Sequence, residues 1–134
     1  MIKPSDMTKV PAHIENNPQF QHFKGCVGAI DGTLVHAVLP IGDQNRYRGR
    51  KGDCMQNVVA ACDFNMLFTY VIAGWEGTAH DSRILMDALT DPRLNFPHPP
   101  TRKYYLVDAG FSNMRGFLAP YRQCTYWLPD FNAR

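Results

Sequence analysis

The chain has 134 residues, of which 45% are hydrophobic, and a net charge of +2 from 14 basic and 12 acidic residues. This length allows one domain with a core, this composition excludes general disorder, and this charge does not by itself indicate a nucleic-acid-binding protein. The four cysteines lack the close pairs of a zinc site, and no apolar stretch is long enough to span a membrane.

The first part of the chain is predicted to be irregular and then to enter a sheet. Residues 1–20 are polar and contain three prolines, which indicates a lead-in before a domain at 21–134. Residues 25–31 form an apolar run typical of a buried strand. Residues 35–39 extend this strand beyond a predicted turn at Gly32.

The middle of the chain is predicted to contain a hairpin and a helix. After a polar loop that ends near residue 55, two apolar segments at 57–62 and 67–73 are separated by a connection of hairpin length, so they should pair antiparallel. Apolar residues then recur at helical spacing in residues 80–89. Asp81 or Ser82 is expected to cap this helix.

The last part is predicted to supply two more strands, at 104–108 and 125–128, separated by a short helix or loop at 111–121. A three-strand meander followed by a right-handed helical crossover places the fourth strand against the first. The sequence therefore predicts an α/β fold with a mixed five-stranded sheet of order 3-2-1-4-5 and flanking helices.

Two aspartates follow apolar strand segments. Asp31 and Asp108 each precede a short glycine-containing segment, and the predicted sheet order places them side by side on the same rim. Carboxylate oxygens are the ligands that divalent cations such as Mg²⁺ prefer, so this pair is a candidate metal site. The alternative from the residues alone is that each aspartate binds its own backbone in a turn.

A basic segment is a candidate for contact with DNA phosphates. Arg48, Arg50 and Lys51 are clustered, and a weaker basic pair lies at Arg102 and Lys103. A solvated loop is an equally good interpretation of the first cluster.

Three further residues are accessory candidates for the site. Glu76 lies near the end of the third strand and is a possible additional ligand, although the flanking glycines favour a loop role. His80 is a candidate for proton transfer, and Asp81 is a candidate ligand. Capping of the first helical turn or solvent exposure explains His80 more simply, and capping of the helix explains Asp81 more simply.

Five short motifs occur in order along the chain, at residues 28–33, 47–52, 74–83, 104–111 and 116–122. Together they resemble the nuclease domain of PIF/Harbinger transposases, which belong to the DDE superfamily, and of host proteins derived from them. The resemblance implies an RNase H-like fold and metal-dependent endonuclease chemistry on DNA. It also implies that Asp31 and Asp108 are the catalytic aspartates and bind Mg²⁺ or Mn²⁺.

The resemblance also implies a glutamate on a helix after the last strand as the third ligand. The sequence ends at Arg134 without this helix, so we expect a partial domain that is truncated before the third carboxylate and has impaired activity. A catalytically inactive remnant that binds DNA or protein, and a fragment without a stable fold, are the alternatives. The resemblance further implies a Myb-like DNA-binding partner and a location in the nucleus or cytoplasm.

Overall fold

The computed structural model describes residue 2, residues 6–49 and residues 52–124. Within these ranges the α-helices are α1 at Ala12–Glu15, α2 at Ile41–Tyr47 and α3 at Asp81–Thr90. Short 3₁₀-helices cover Pro18–Phe23 and Pro92–Leu94. The strands of the sheet are β1 at Cys26–His36, β2 at Met55–Cys62, β3 at Phe68–Glu76, β4 at Tyr104–Val107 and β5 at Phe117–Leu118.

The strands form one five-stranded mixed sheet of order β3-β2-β1-β4-β5, which confirms the predicted order. β1, β2 and β3 form an antiparallel meander, and β4 lies parallel to both β1 and β5. The fifth position is occupied by Phe117–Leu118, within the segment predicted to be a helix or loop. A strand of two residues is too short to show an alternating pattern. The predicted strand at 125–128 lies outside the described residues.

β1 is longer and straighter than predicted. Residues from Ala29 to His36 pair continuously with β2, so Gly32 lies inside the strand and the turn predicted there is wrong. The extension past Gly32 is confirmed and ends at His36. The apolar run could not reveal this continuity because the pairing with β2 is a long-range interaction.

The helix α3 covers one face of the sheet and is confirmed close to its predicted position. Its buried residues Ile84, Leu85 and Ala88 pack in the core with residues of the central strands, including Ile30 and Val59. The N-cap, however, is His80, and its side chain makes no capping hydrogen bond. The expected cap at Asp81 or Ser82 is therefore wrong, because both residues are already helical.

Three helical segments lie where irregular structure was predicted. In the lead-in, α1 follows Pro11 and the 3₁₀-helix at Pro18–Phe23 begins at a proline, and the Asn17 side chain accepts a hydrogen bond from the Gln19 N–H at 2.9 Å. In the predicted polar loop, α2 follows Pro40 and has no buried residue. Proline is favoured at helix starts, but a helix without a buried face leaves no apolar period in the sequence. No helix in the described ranges is long and apolar enough to cross a bilayer.

Candidate metal centre

The parallel pairing of β1 with β4 brings Asp31 and Asp108 together. Ile30 is the register partner of Val107, so the next residue in each chain is one of the two aspartates. Neighbouring strands lie about 4.8 Å apart. The two aspartates are therefore adjacent at the rim where β4 ends, and both are exposed.

The two aspartates share the more open face of the sheet. Side chains alternate along a strand, so Asp31 and Asp108 lie on the face opposite to the buried Ile30 and Val107. Asp31 borders a shallow pocket of about 210 Å³, whose lining includes Ala29, Cys62 and Phe68. Phe68 is 59% exposed, which indicates that this face is accessible beside the carboxylates.

Each carboxylate uses one oxygen for a local hydrogen bond. Asp31 Oδ1 accepts from the Gly32 N–H at 2.8 Å, and Asp108 Oδ1 accepts from the Gly110 N–H at 2.8 Å. Within the described residues, neither Oδ2 atom has a hydrogen-bond donor and neither aspartate forms an ion pair. The turn-like bond to the backbone therefore orients each carboxylate and leaves one oxygen for a ligand.

This donor set fits a hard divalent cation. Mg²⁺ and Mn²⁺ bind carboxylate and water oxygens, and two adjacent carboxylates repel each other unless a cation lies between them. In the described part of the chain, no group of three or more His, Cys, Asp or Glu side chains is arranged to hold a metal ion. Asp31 and Asp108 thus offer two ligands, and the other coordination positions would take water, substrate or further groups.

Asp81 lies close to the same stretch of β1 but on the opposite face. A Cβ atom built on Gly32 would overlap the Asp81 carboxylate. The buried Asn57 holds this carboxylate by donating from Nδ2 to Asp81 Oδ1 at 2.5 Å, and it also donates to the Ala79 carbonyl at 2.9 Å. Sequence reasoning missed Asn57, because a single asparagine in an apolar strand carries no distinctive signal.

Glu76 is not brought to the aspartate pair. Its register partner on β2 is Gln56, which pairs with Val35 on β1. Four residues and two strand spacings therefore separate Glu76 from Asp31, roughly 16 Å at the usual dimensions of a sheet. Glu76 Oε1 instead accepts from Arg46 Nε at 2.6 Å, and this contact raises the pKa of the Arg46 guanidinium.

The remaining candidates lie around the site or outside the described residues. His80 is exposed at the start of α3 and lines a pocket of about 310 Å³ together with Thr33 and Asp81. Arg48 is exposed and forms an isolated bridge with Cys54. The structure does not describe Arg50 and Lys51, so their predicted contact with DNA stays a prediction.

Comparison with known proteins identifies the family. The family model described as DDE superfamily endonuclease matches residues 30–131. The chain is also 30% identical over 148 aligned residues to a protein named "Protein ALP1-like" from Arabidopsis thaliana, covering 98% of this chain and 36% of that protein. The chain thus spans about a third of the length of this relative. No solved structure matches. The match to most of the chain confirms the resemblance found in the sequence, and the chain belongs to the DDE superfamily of endonucleases.

Proposed function

We propose that this chain is the part of a DNA endonuclease that supplies two of the metal ligands, Asp31 and Asp108. The observation that supports this most strongly is the register of β1 with β4, which makes the two aspartates neighbours on an accessible face. DDE superfamily endonucleases act on DNA and generally use divalent metal ions. The two carboxylates provide oxygen ligands of the kind that Mg²⁺ and Mn²⁺ require.

The chemistry of a bound divalent ion is to activate a water or hydroxyl oxygen and to stabilise charge on a phosphodiester. The carboxylates of Asp31 and Asp108 would hold the ion. The N–H groups of Gly32 and Gly110 hold the Oδ1 atoms and so keep both side chains oriented. Prior orientation matters because metal-assisted displacement needs the reacting groups in line.

Complete two-metal catalysis would require at least one more carboxylate near the pair. We propose that this ligand comes from a part of the protein beyond the described residues or from a second subunit. Glu76 is a poor candidate because it is bound to Arg46 and separated from Asp31 by two strand spacings. The alternative is a binding module for DNA or protein that retains the aspartates without cleavage. This second candidate is supported by the grouping of only two acidic side chains at the described rim.

Nicking of supercoiled plasmid DNA tests the proposal. The unaltered chain should nick the plasmid slowly, because two of the carboxylates bind the ion without the third, with Mg²⁺ or Mn²⁺ but not with EDTA. Both Asp31→Asn and Asp108→Asn should abolish this nicking. Asp43→Asn is the matched control, because it removes an exposed carboxylate in α2 away from β1 and β4. Nicking that survives both aspartate changes would refute the assignment of these ligands.

The binding alternative is separated by measuring DNA binding in the same preparations. DNA binding without nicking, at any metal concentration, would favour a module without catalysis. The proposed Myb-like partner and nuclear location stay predictions, and co-purification with a Myb-like protein and imaging of the tagged chain in cells would test them.

A further inference from the structure

A basic pocket lies at the other end of β4 from Asp108. It has a volume of about 250 Å³, and Arg102, Lys103 and Arg115 contribute to its lining together with His98. Among the described residues, no carboxylate lines it. The chain has 14 basic and 12 acidic residues, so its net charge is only +2. Three cations without an acid among the described lining residues are therefore an unusual local grouping.

The pocket is built by the turns that precede β4 and β5. The Lys103 N–H donates to the Pro100 carbonyl at 2.9 Å and closes a tight turn, with Arg102 at its third position. Because β4 and β5 are parallel and Tyr105 pairs with Phe117, the two strands begin side by side. The Tyr105 N–H also donates to the Gly116 carbonyl at 2.9 Å, which joins the two walls of the pocket.

The three cations of the basic pocket are not neutralised by the described residues. In the described part of the chain, the ion pairs use Lys9, Arg46 and Arg93, and none uses a cation of the basic pocket. Lys103 Nζ donates to the Lys24 carbonyl at 3.3 Å, a contact that does not cancel its charge. Like charges that line one pocket repel each other, so a bound anion would stabilise this arrangement.

Arg102 also has an unfavourable backbone conformation. Its φ is +67°, in the left-handed region, at the position of the turn where glycine or asparagine is usually found. An arginine here costs conformational energy that glycine would not. A strained residue in a pocket, with a charge that forms no ion pair with the described residues, points to a role in binding rather than in folding.

We propose that the basic pocket binds a phosphate group of the DNA backbone, as an anchoring contact separate from the carboxylates. This inference rests on the proposed function in taking DNA as the ligand. Guanidinium and ammonium groups bind phosphate oxygens through charge-assisted hydrogen bonds. Five residues separate Lys103 from Asp108, roughly 17 Å along an extended strand, which corresponds to about five nucleotides along one strand of a duplex.

The salt dependence of DNA binding tests this proposal in the full chain. Binding of a fluorescently labelled duplex would be measured by anisotropy in EDTA, over a range of NaCl concentrations. The variants are Arg102→Gly, Lys103→Gln and Arg115→Gln, singly and together. Each lost phosphate contact should reduce the slope of log K against log salt by about 0.9.

A control variant separates a local contact from a change in net charge. Arg93→Gln removes the same single charge as Arg102→Gly, but the Arg93 guanidinium is already paired with the Asp91 carboxylate at 2.6 Å. This control should leave the slope unchanged. Equal slopes for the unaltered chain and the triple variant, or an equal loss in the control, would overturn the proposal.

Folding and cleavage are measured separately. Arg102→Gly should melt at the same or a higher temperature than the unaltered chain, because glycine relieves the strain at a positive φ. A weaker affinity in this variant is then not a result of unfolding.

A changed slope without any nicking activity would support the anchoring contact and refute the proposed nuclease function. Nicking with an unchanged slope would support the proposed nuclease function and refute the anchoring contact. Loss of binding to anionic lipid vesicles, with unchanged binding to DNA, would identify a membrane ligand and also overturn the proposal.

Discussion

The Asp81 carboxylate lies directly against the α-carbon of Gly32, in the space that a side chain on Gly32 would occupy. Gly32 is therefore required by close packing across the core face of β1. Gly32→Ala should destabilise the fold by about 1–3 kcal/mol, the usual cost of overpacking. Denaturant unfolding would measure the loss.

A double-variant cycle tests whether Asp81 is the cause. Asp81→Ala removes the obstructing carboxylate, so Gly32→Ala should cost much less in that background than in the unaltered chain. If the cost of Gly32→Ala is the same in both backgrounds, the contact with Asp81 is not what excludes a side chain.

Asn57 holds the loop before α3 in place and should be sensitive to substitution. It is 4% exposed and donates to both the Asp81 carboxylate and the Ala79 carbonyl. Asn57→Ala should reduce the free energy of unfolding by about 1–3 kcal/mol, because it leaves two partly buried acceptors without this donor. Thermal and denaturant unfolding would show this loss.

Asn57→Asp should be worse than Asn57→Ala at neutral pH and should improve on acidification. The new carboxylate would face Asp81, and two adjacent carboxylates raise the pKa of the pair in the folded state. Stability should therefore recover as the pH falls and one carboxyl group gains a proton that it can donate to the other. A pH-independent difference between the two variants would contradict this account.

The sheet order could be predicted from the sequence because few simple topologies join the predicted elements, and a right-handed crossover places the fourth strand against the first. The same argument placed Asp31 beside Asp108, and the register of Ile30 with Val107 agrees with it. The continuation of β1 through Gly32 could not be predicted, since pairing with a distant strand decides it. The Asp81 cap was wrong for a related reason: its carboxylate is used by Asn57 rather than by the start of α3.

The pair of Asp91 and Arg93 gives a pH-dependent prediction. Hydrogen bonds from the Arg93 side chain and backbone lower the pKa of Asp91 from 3.8 to about 2. A carboxyl group with a lowered pKa in the folded state stabilises the fold above its unfolded pKa and loses that contribution as the pH falls. The difference in melting temperature between the unaltered chain and Asp91→Asn should therefore shrink as the pH falls from 3.8 towards 2.

An NMR titration of the Asp91 carboxyl group would check the cause. In the Arg93→Gln variant the pKa should rise towards 3.8, because the largest lowering comes from the Arg93 side chain. An Asp91 pKa that stays near 2 in this variant would assign the shift to the backbone N–H of residue 93 instead.

The sign of the effect of Asp108→Asn on stability should depend on metal. Without metal, the carboxylates of Asp31 within β1 and Asp108 just after β4 repel each other, so Asp108→Asn should raise the melting temperature slightly. With Mn²⁺, the unaltered chain gains stability by binding the ion only when folded, by about 2.7 kcal/mol at 100 times the dissociation constant. The variant lacks one ligand and should not gain it. In thermal melts, Asp108→Asn should therefore have the higher melting temperature without Mn²⁺ and the lower melting temperature with Mn²⁺. Asp43→Asn should melt like the unaltered chain in both conditions. An equal effect of Mn²⁺ on the unaltered chain and on Asp108→Asn would show that Asp108 does not bind the ion.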